Sequence, residues 1–589
     1  MLPTPTASGA DLRCADFSTL TEALDFAAKG RTGFNYYNGR GDLTAVLPYG
    51  ELRERARLLA RRLQGLGRGS RVALVAHTHP DFIVMFYACQ YAALVPVPLP
   101  AAIHLGGHDA YVRHLRQMVL DCRASAAFAP ADFIELLREA ASGLSVISGT
   151  LEHFQSMPDL GELPEPPRPE ELAYMQYTSG STRFPRGTMI TQASAMHNLE
   201  AIFNHGFRLT QEDRFFSWLP YYHDMGLVGI VLGCMATQRS CDFLGSREFA
   251  MRPRLWLKLI SQNRCTISFS PPFGYALTAR RITPKDTEAL DLSCWRVAGV
   301  GAEMIHPEWL DAFAKALAPA GFRPSAFLPC YGMAECALAV SFATVGGGVK
   351  IDAVDGERLS ETGEARPYVD GVGRLKEFVD CGVPLPGFEV EVRGEDGQVL
   401  PERQVGRIHL RSPSVMTGYY NAPGPTSEVL SADGWLNTGD LGYRFQGVLY
   451  LTGRAKDLLI INGRNIWPQD LESLAELQPE IRPTDASAFS VPGSDGTEVA
   501  VLVVQCRETD PRAQAELADR LHEAISQEFG IRCMIELVPP HTLPRTSSGK
   551  LSRSVTRKEF LERHNEERLR EASHQRYLVS DGARRTVAA

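Results

Sequence analysis

The run Tyr177-Thr178-Ser179-Gly180-Ser181-Thr182-Arg183-Phe184-Pro185-Arg186-Gly187-Thr188 concentrates hydroxyls, glycines and cations in a single short segment. Backbone amides beside Gly180 and Gly187 can approach a ligand closely. Thr178, Ser179, Ser181 and Thr182 offer hydroxyl donors, and Arg183 and Arg186 add positive charge. Such a loop suits a polyphosphate held by backbone and hydroxyl donors. It is not a Walker loop, because the next glycine falls seven residues after Gly180 and no Lys-Ser/Thr pair follows. An ordinary Ser/Gly-rich surface turn is the competing reading, so distant partners must decide.

Four further blocks qualify as partners. Tyr331-Gly332-Met333-Ala334-Glu335 is followed by CALAVSF, a helix-compatible run that places Glu335 at helix spacing from Tyr331. Trp435-Leu436-Asn437-Thr438-Gly439-Asp440 follows the turn Ala432-Asp433-Gly434, and Gly453-Arg454-Ala455-Lys456-Asp457 precedes the apolar LLII. Pro544-Arg545-Thr546-Ser547-Ser548-Gly549-Lys550 lies near the C-terminus. In this order and spacing the blocks resemble the adenylate-forming superfamily of acyl-CoA synthetases, luciferases and peptide-synthetase adenylation domains, over roughly residues 15 to 575.

The resemblance implies a reaction with a clear electrostatic problem. Hydroxide is a poor leaving group, so a carboxylic acid reacts with a thiol only after coupling to the α-phosphate of ATP. Carboxylate and triphosphate repel; at about 4 Å and an effective dielectric near 20, each like-charged pair costs roughly 4 kcal/mol. Fixed cations and donors must meet the α-phosphate, so ATP and Mg2+ are the implied cofactors. By resemblance, Lys550 contacts carboxylate and α-phosphate, and its Ser/Gly-rich loop lets it enter and leave. Glu335 binds Mg2+ with Thr178 on the metal side, and Tyr331 stacks near the adenine with Gly332 and Met333 beside it. Gly301-Ala302-Glu303 lines the adenine, Asp440 and Arg454 serve the ribose, and Lys456 is the hinge about which the small domain rotates. Position 186 departs from the family, carrying Arg where most members have Lys, which substitutes a planar fork for a point charge.

Pro220-Tyr221-Tyr222-His223-Asp224-Met225-Gly226-Leu227 resembles the acyl-side motif of fatty acyl-AMP ligases, which makes His223 a candidate catalytic residue. VGIVLGCMA and the segment from Ser268 to Tyr275 are expected to supply an apolar wall, where each buried methylene contributes about 0.8 kcal/mol. Between Glu335 and the turn Gly382-Val383-Pro384 lie 46 residues, including the polar stretch from Asp352 to Tyr368. This resembles the insertion, about 345–381, that hinders domain rotation in that subfamily. The implied acceptor is then the phosphopantetheine thiol of an acyl carrier protein, often on a polyketide or peptide synthase. Two alternatives remain: a long-chain acyl-CoA ligase, and a catalytically silent nucleotide-binding homologue.

The elements that must position these residues read as multi-domain α/β. Leu52, Ala56, Leu59, Ala60, Leu63 and Leu66 share one face of a helix over Glu51 to Leu66. A strand from Val72 to Ala76 and a helix from Asp81 to Leu94 follow, giving strand–helix alternation. A Pro-rich connector, Ser156 to Glu170, delivers the chain to a strand, Leu172 to Tyr177, that ends in the phosphate loop as at the carboxyl end of a parallel strand. Short alternating segments over Gly382 to Tyr450 predict a β subdomain, and a charged helix is expected near Thr556 to Ala572. The expected division is two α/β subdomains plus the β subdomain over 15–453, a hinge at 454–457, a mobile α+β domain over 458–575 and a tail over 576–589.

At 589 residues the chain is too long for one core. Its net charge of −8 argues against nucleic acid as partner. Twelve cysteines without a C-x-x-C pair predict reduced core thiols. The opening MLPTPTASGADLRC has neither a basic nor an apolar signal region, and no stretch is apolar enough to span a bilayer. A cytoplasmic protein with no membrane span is expected.

Overall fold

A computed structural model describes residues 13–101, 107–178, 185–461, 464–492, 498–546, 550–564 and, for the backbone, 577–579. Two sheets form the α/β part. In the smaller, Val95–Leu99, Arg71–Val75, Ala126–Phe128 and Ile147–Gly149 lie side by side, all parallel. In the nine-stranded sheet a parallel centre runs through Phe327–Gly332, Val297–Val300, Ile267–Ser270, Phe215–Ser217, Cys241–Leu244 and Gly33–Tyr37, with antiparallel strands at both edges. The helix Tyr49–Leu63 buries Leu52, Ala56, Leu59, Ala60 and Leu63 of the predicted face, while Leu66 falls in the following 3-10 turn and is only partly buried. Pro80–Tyr91 is buried all round, as a helix between packed layers must be.

The strands Glu389–Arg393, Gly406–Arg411, Leu436–Phe445 and Val448–Arg454 form the expected antiparallel β unit. Beyond it, Ala486–Pro492, Glu498–Gln505, Cys533–Val538 and Tyr577–Val579 form another sheet. The helices Pro468–Glu476 and Pro511–Phe529 pack on it around a separate core that includes Leu471, Leu502, Leu521 and Ile535.

Three local expectations are corrected. CALAVSF is not helical: Ala334–Cys336 is a single 3-10 turn, Ala337 takes φ of 64°, and Ala339–Phe342 pairs antiparallel with Phe327–Gly332. Tyr331 therefore sits on a strand and Glu335 in the following turn, not on one helix. Leu172–Tyr177 pairs antiparallel with Gly187–Thr191, so the phosphate-loop segment connects a hairpin and does not follow a parallel strand. The terminal helix spans Arg553–Arg563, starting earlier than expected, and 565–576 lie outside the described residues.

The insertion is folded. Ile351–Asp355 and Leu375–Val379 pair antiparallel, with the helix Gly356–Thr362 between them. Val354, Leu359 and Phe378 cluster with Tyr443, Tyr450 and Trp467, and these three inward-turned apolar side chains hold a polar stretch in a fixed shape while Ile351, Val369, Val372 and Leu375 stay exposed. Lys376 Nζ donates to Asp470 at 2.7 Å and lies 3.9 Å above the Trp467 ring, while Arg374 covers Phe529 at 4.7 Å. The insertion thus bonds to segments on the far side of the chain's 454–457 link.

Candidate active site

The carboxyl ends of Val297–Val300 and Phe327–Gly332 open on a cavity of about 560 Å³, the place where parallel sheets present ligands. The two strands approach closely: a Cβ at Gly301 would lie 2.7 Å from the Cys330 carbonyl oxygen, so only glycine fits. Ala302 then takes φ of 70°, and its carbonyl accepts a 2.6 Å hydrogen bond from Lys550 Nζ. The C-terminal amine is thereby brought across 248 residues of sequence to the cavity.

Tyr331 Oη donates to Asp440 Oδ2 at 2.7 Å, and Arg454 Nε stands 3.3 Å from Asp440 Oδ1. Asp440 and Arg454 are cross-strand partners in register, which is why two separate sequence blocks act as one unit. On the opposite side, Tyr419 Oη donates to Glu335 Oε1 at 2.8 Å, and the Arg186 guanidinium lies 5.3 Å from the Tyr419 ring. Thr178 donates its backbone N–H to the Arg186 carbonyl at 2.9 Å, extending the hairpin's pairing. His223 Nδ1 and Asp224 Oδ1 are 2.6 Å apart at the start of a short helical turn.

Burial sets the charge states. It lifts the Glu335 carboxyl above the usual range, against the Tyr419 hydrogen bond. Burial also resists ionisation of Asp224, but His223 and Lys550 outweigh it and hold that carboxyl low. Desolvation lowers the Lys550 ammonium below the ordinary lysine value, with Glu303 opposing. A reaction that needs this ammonium should therefore decline on the alkaline side at a pH below the ordinary lysine range. A pH–rate profile of Lys550→Arg, whose charge persists, should lack that limb.

Most of the predicted residues converge. Thr178, His223, Ala302, Tyr331, Gly332, Met333, Glu335, Asp440, Arg454, Lys456 and Lys550 all line the cavity. Gly301 does not; it makes room behind it. Glu303, expected at the adenine, faces instead an adjoining cavity of about 370 Å³, because the turn at Ala302 redirects the chain. Ser179, Gly180, Ser181 and Thr182 lie outside the described residues. Of the expected apolar wall, Gly229, Ile230 and Phe269 reach the cavity, while most of Leu227–Leu232 is core. Tyr419 was not found from sequence; only its pairing with Glu335, 84 residues away, marks it.

The donor set fits magnesium. Glu335 and Thr178 present oxygen donors to the cavity, and among the described residues no cluster of three His, Cys, Asp or Glu forms a closed cage. A cation that keeps waters and takes phosphate oxygens suits such a site.

Residues 33–420 match the family described as AMP-binding enzyme. A Caulobacter vibrioides protein provisionally named acyl-CoA synthetase is 44% identical over 95% of this chain and 98% of its own length. The medium-chain-fatty-acid–[acyl-carrier-protein] ligase JamA of Moorena producens is 31% identical over 93% of this chain and 96% of its own. A solved structure from a study of fatty acyl-adenylate ligases of E. coli and L. pneumophila superposes with a TM-score of 0.90 at 44% identity, covering 94% of this chain and 99% of that one.

Proposed function

Because the chain belongs to the AMP-binding enzymes of the adenylate-forming superfamily, we propose that it activates a fatty acid as acyl-AMP and passes the acyl group to the phosphopantetheine thiol of an acyl carrier protein. A carboxylate oxygen of the acid attacks the α-phosphorus of ATP, the bond to the β-phosphate breaks, and pyrophosphate leaves. The thiol then attacks the acyl carbon, losing its proton, and AMP departs.

The observation that carries this reading is the Lys550 amine, 2.6 Å from the Ala302 carbonyl and inside the cavity that Glu335 and Asp440 also line. Its positive charge meets the charge that builds as carboxylate and α-phosphate join. Asp440, held by Tyr331 and Arg454, accepts from the ribose hydroxyls. Glu335 and Thr178 would hold a magnesium ion, whose charge neutralises phosphate oxygens. His223, paired with Asp224, marks the passage from nucleotide to acid, and Lys456 serves as the hinge.

Two observations support a carrier protein over coenzyme A: the insertion bonded to Asp470 through Lys376, which resists rotation, and the acceptor in the name of the Moorena relative. The name of the Caulobacter relative favours the second reading, an acyl-CoA ligase. Dodecanoate and ATP offered with coenzyme A or with a holo carrier protein, followed by mass spectrometry, separate the two. Acyl carrier without acyl-CoA is expected. Lys376→Met, which leaves Asp470 without its partner, should raise acyl-CoA roughly tenfold, the factor that corresponds to about 1.4 kcal/mol; efficient acyl-CoA formation by the unmodified protein contradicts the carrier assignment.

A further inference from the structure

The cavity is lined by polar groups and by apolar side chains, among them three rings in mutual contact. Phe207, Phe269 and Phe342 all line it. Their centroids lie 4.9 Å apart for Phe207–Phe269, 5.3 Å for Phe207–Phe342 and 6.5 Å for Phe269–Phe342, the last two edge to face. Behind Phe207 stand Phe203 and Phe215, fully buried and away from the cavity, at 5.0 Å and 6.4 Å.

The rings have nowhere to retreat. A Cβ at Gly206 would lie 2.8 Å from Phe342 Cδ2, and one at Gly299 would lie 1.9 Å from Phe269 Cε1. Phe342 and Phe269 each rest directly on a backbone that only glycine leaves open, and Phe207 packs against both of them and against the buried Phe203 and Phe215. The wall is equally tight. Gly229, in the π-helical turn Leu227–Leu232, has Leu338 Cδ2 2.9 Å from where its Cβ would stand. π-turns of this kind recur at functional sites.

We propose that Phe207, Phe269 and Phe342 are a fixed floor that sets the upper length of the acyl chain, and that Gly229 with Leu338 restricts the channel to unbranched chains. The inference rests on the fatty-acid reading above and narrows its substrate class to straight medium-length acids. The rings line the same cavity, of about 560 Å³, as the residues assigned to the nucleotide, so an acyl chain bound beside that nucleotide would run toward them. Each methylene added below the limit strengthens binding about fourfold. The first methylene to meet the rings gains nothing and strains the core.

The test is pyrophosphate release with straight-chain acids from octanoate to octadecanoate, read as the ratio of kcat/KM for hexadecanoate to that for octanoate. Phe342→Ala and Phe207→Ala should each raise this ratio roughly tenfold or more, since two further methylenes are accommodated. An unchanged ratio in active variants overturns the floor. Should both alanine variants lack a cooperative thermal transition, Gly229→Leu decides, because it narrows the same channel from the side. It should lower the ratio at least tenfold, and an unchanged ratio there overturns the proposal. A folded native protein that activates no acid of any length overturns the fatty-acid reading itself, a distinct result from an active enzyme indifferent to the floor.

Discussion

Lys550→Ala is expected to lower acid-dependent pyrophosphate release by roughly 10²–10³-fold, the usual effect of removing one preorganised donor from developing charge. The loss should fall on kcat more than on KM for ATP, because the Asp440, Arg454 and Tyr331 cluster proposed to bind the nucleoside is left intact. Transfer from synthetic acyl-AMP to the carrier thiol should fall far less, since no phosphorus bond is made in that step. Equal losses in both half-reactions would mean that the amine shapes the site without acting in adenylation.

Glu335→Gln is expected to give a loss of similar size with a different signature. The amide keeps an oxygen for the Tyr419 hydroxyl, now 2.8 Å from the carboxylate, so the fold of the turn should persist. What disappears is the negative charge. Nucleotide binding followed by calorimetry should lose most of its dependence on Mg2+, and added metal should restore activity only in part. Tyr419→Phe provides the graded comparison. Removing one hydrogen bond to a charged group costs about 1.5–3 kcal/mol, hence a smaller loss of roughly ten- to hundredfold. Unaltered metal dependence in Glu335→Gln would exclude it as a magnesium ligand.

Residue types that carry chemistry were legible before any fold was known. Asp440, Arg454, Glu335 and Lys550 stood out because their blocks resemble those of the adenylate-forming superfamily, and all four line the cavity. How they are connected was less legible. The resemblance paired Asp440 with Arg454, but that they face each other across two adjacent strands is a register local periodicity does not encode. The segment after Glu335 has a composition equally suited to helix and strand; pairing with Phe327–Gly332 and the positive φ of Ala337 settle it as a strand. The stretch from Asp352 to Tyr368 read as polar, with no fold assigned to it, yet Val354, Leu359 and Phe378 pack the segment against Tyr443 and Trp467. Of the three cavity rings only Phe269 lay in a segment expected to form the apolar wall; Phe207 and Phe342 gave no signal until the fold brought them beside it.

The central claim is that carboxylate oxygen and α-phosphorus become bonded in this cavity. Dodecanoate labelled with oxygen-18 in both carboxylate positions, turned over with ATP and the carrier protein, tests it directly by mass spectrometry of the nucleotide. AMP carrying one labelled oxygen is the predicted result, because the anhydride oxygen comes from the acid and leaves with AMP. Thioester accompanied by unlabelled AMP would contradict the account.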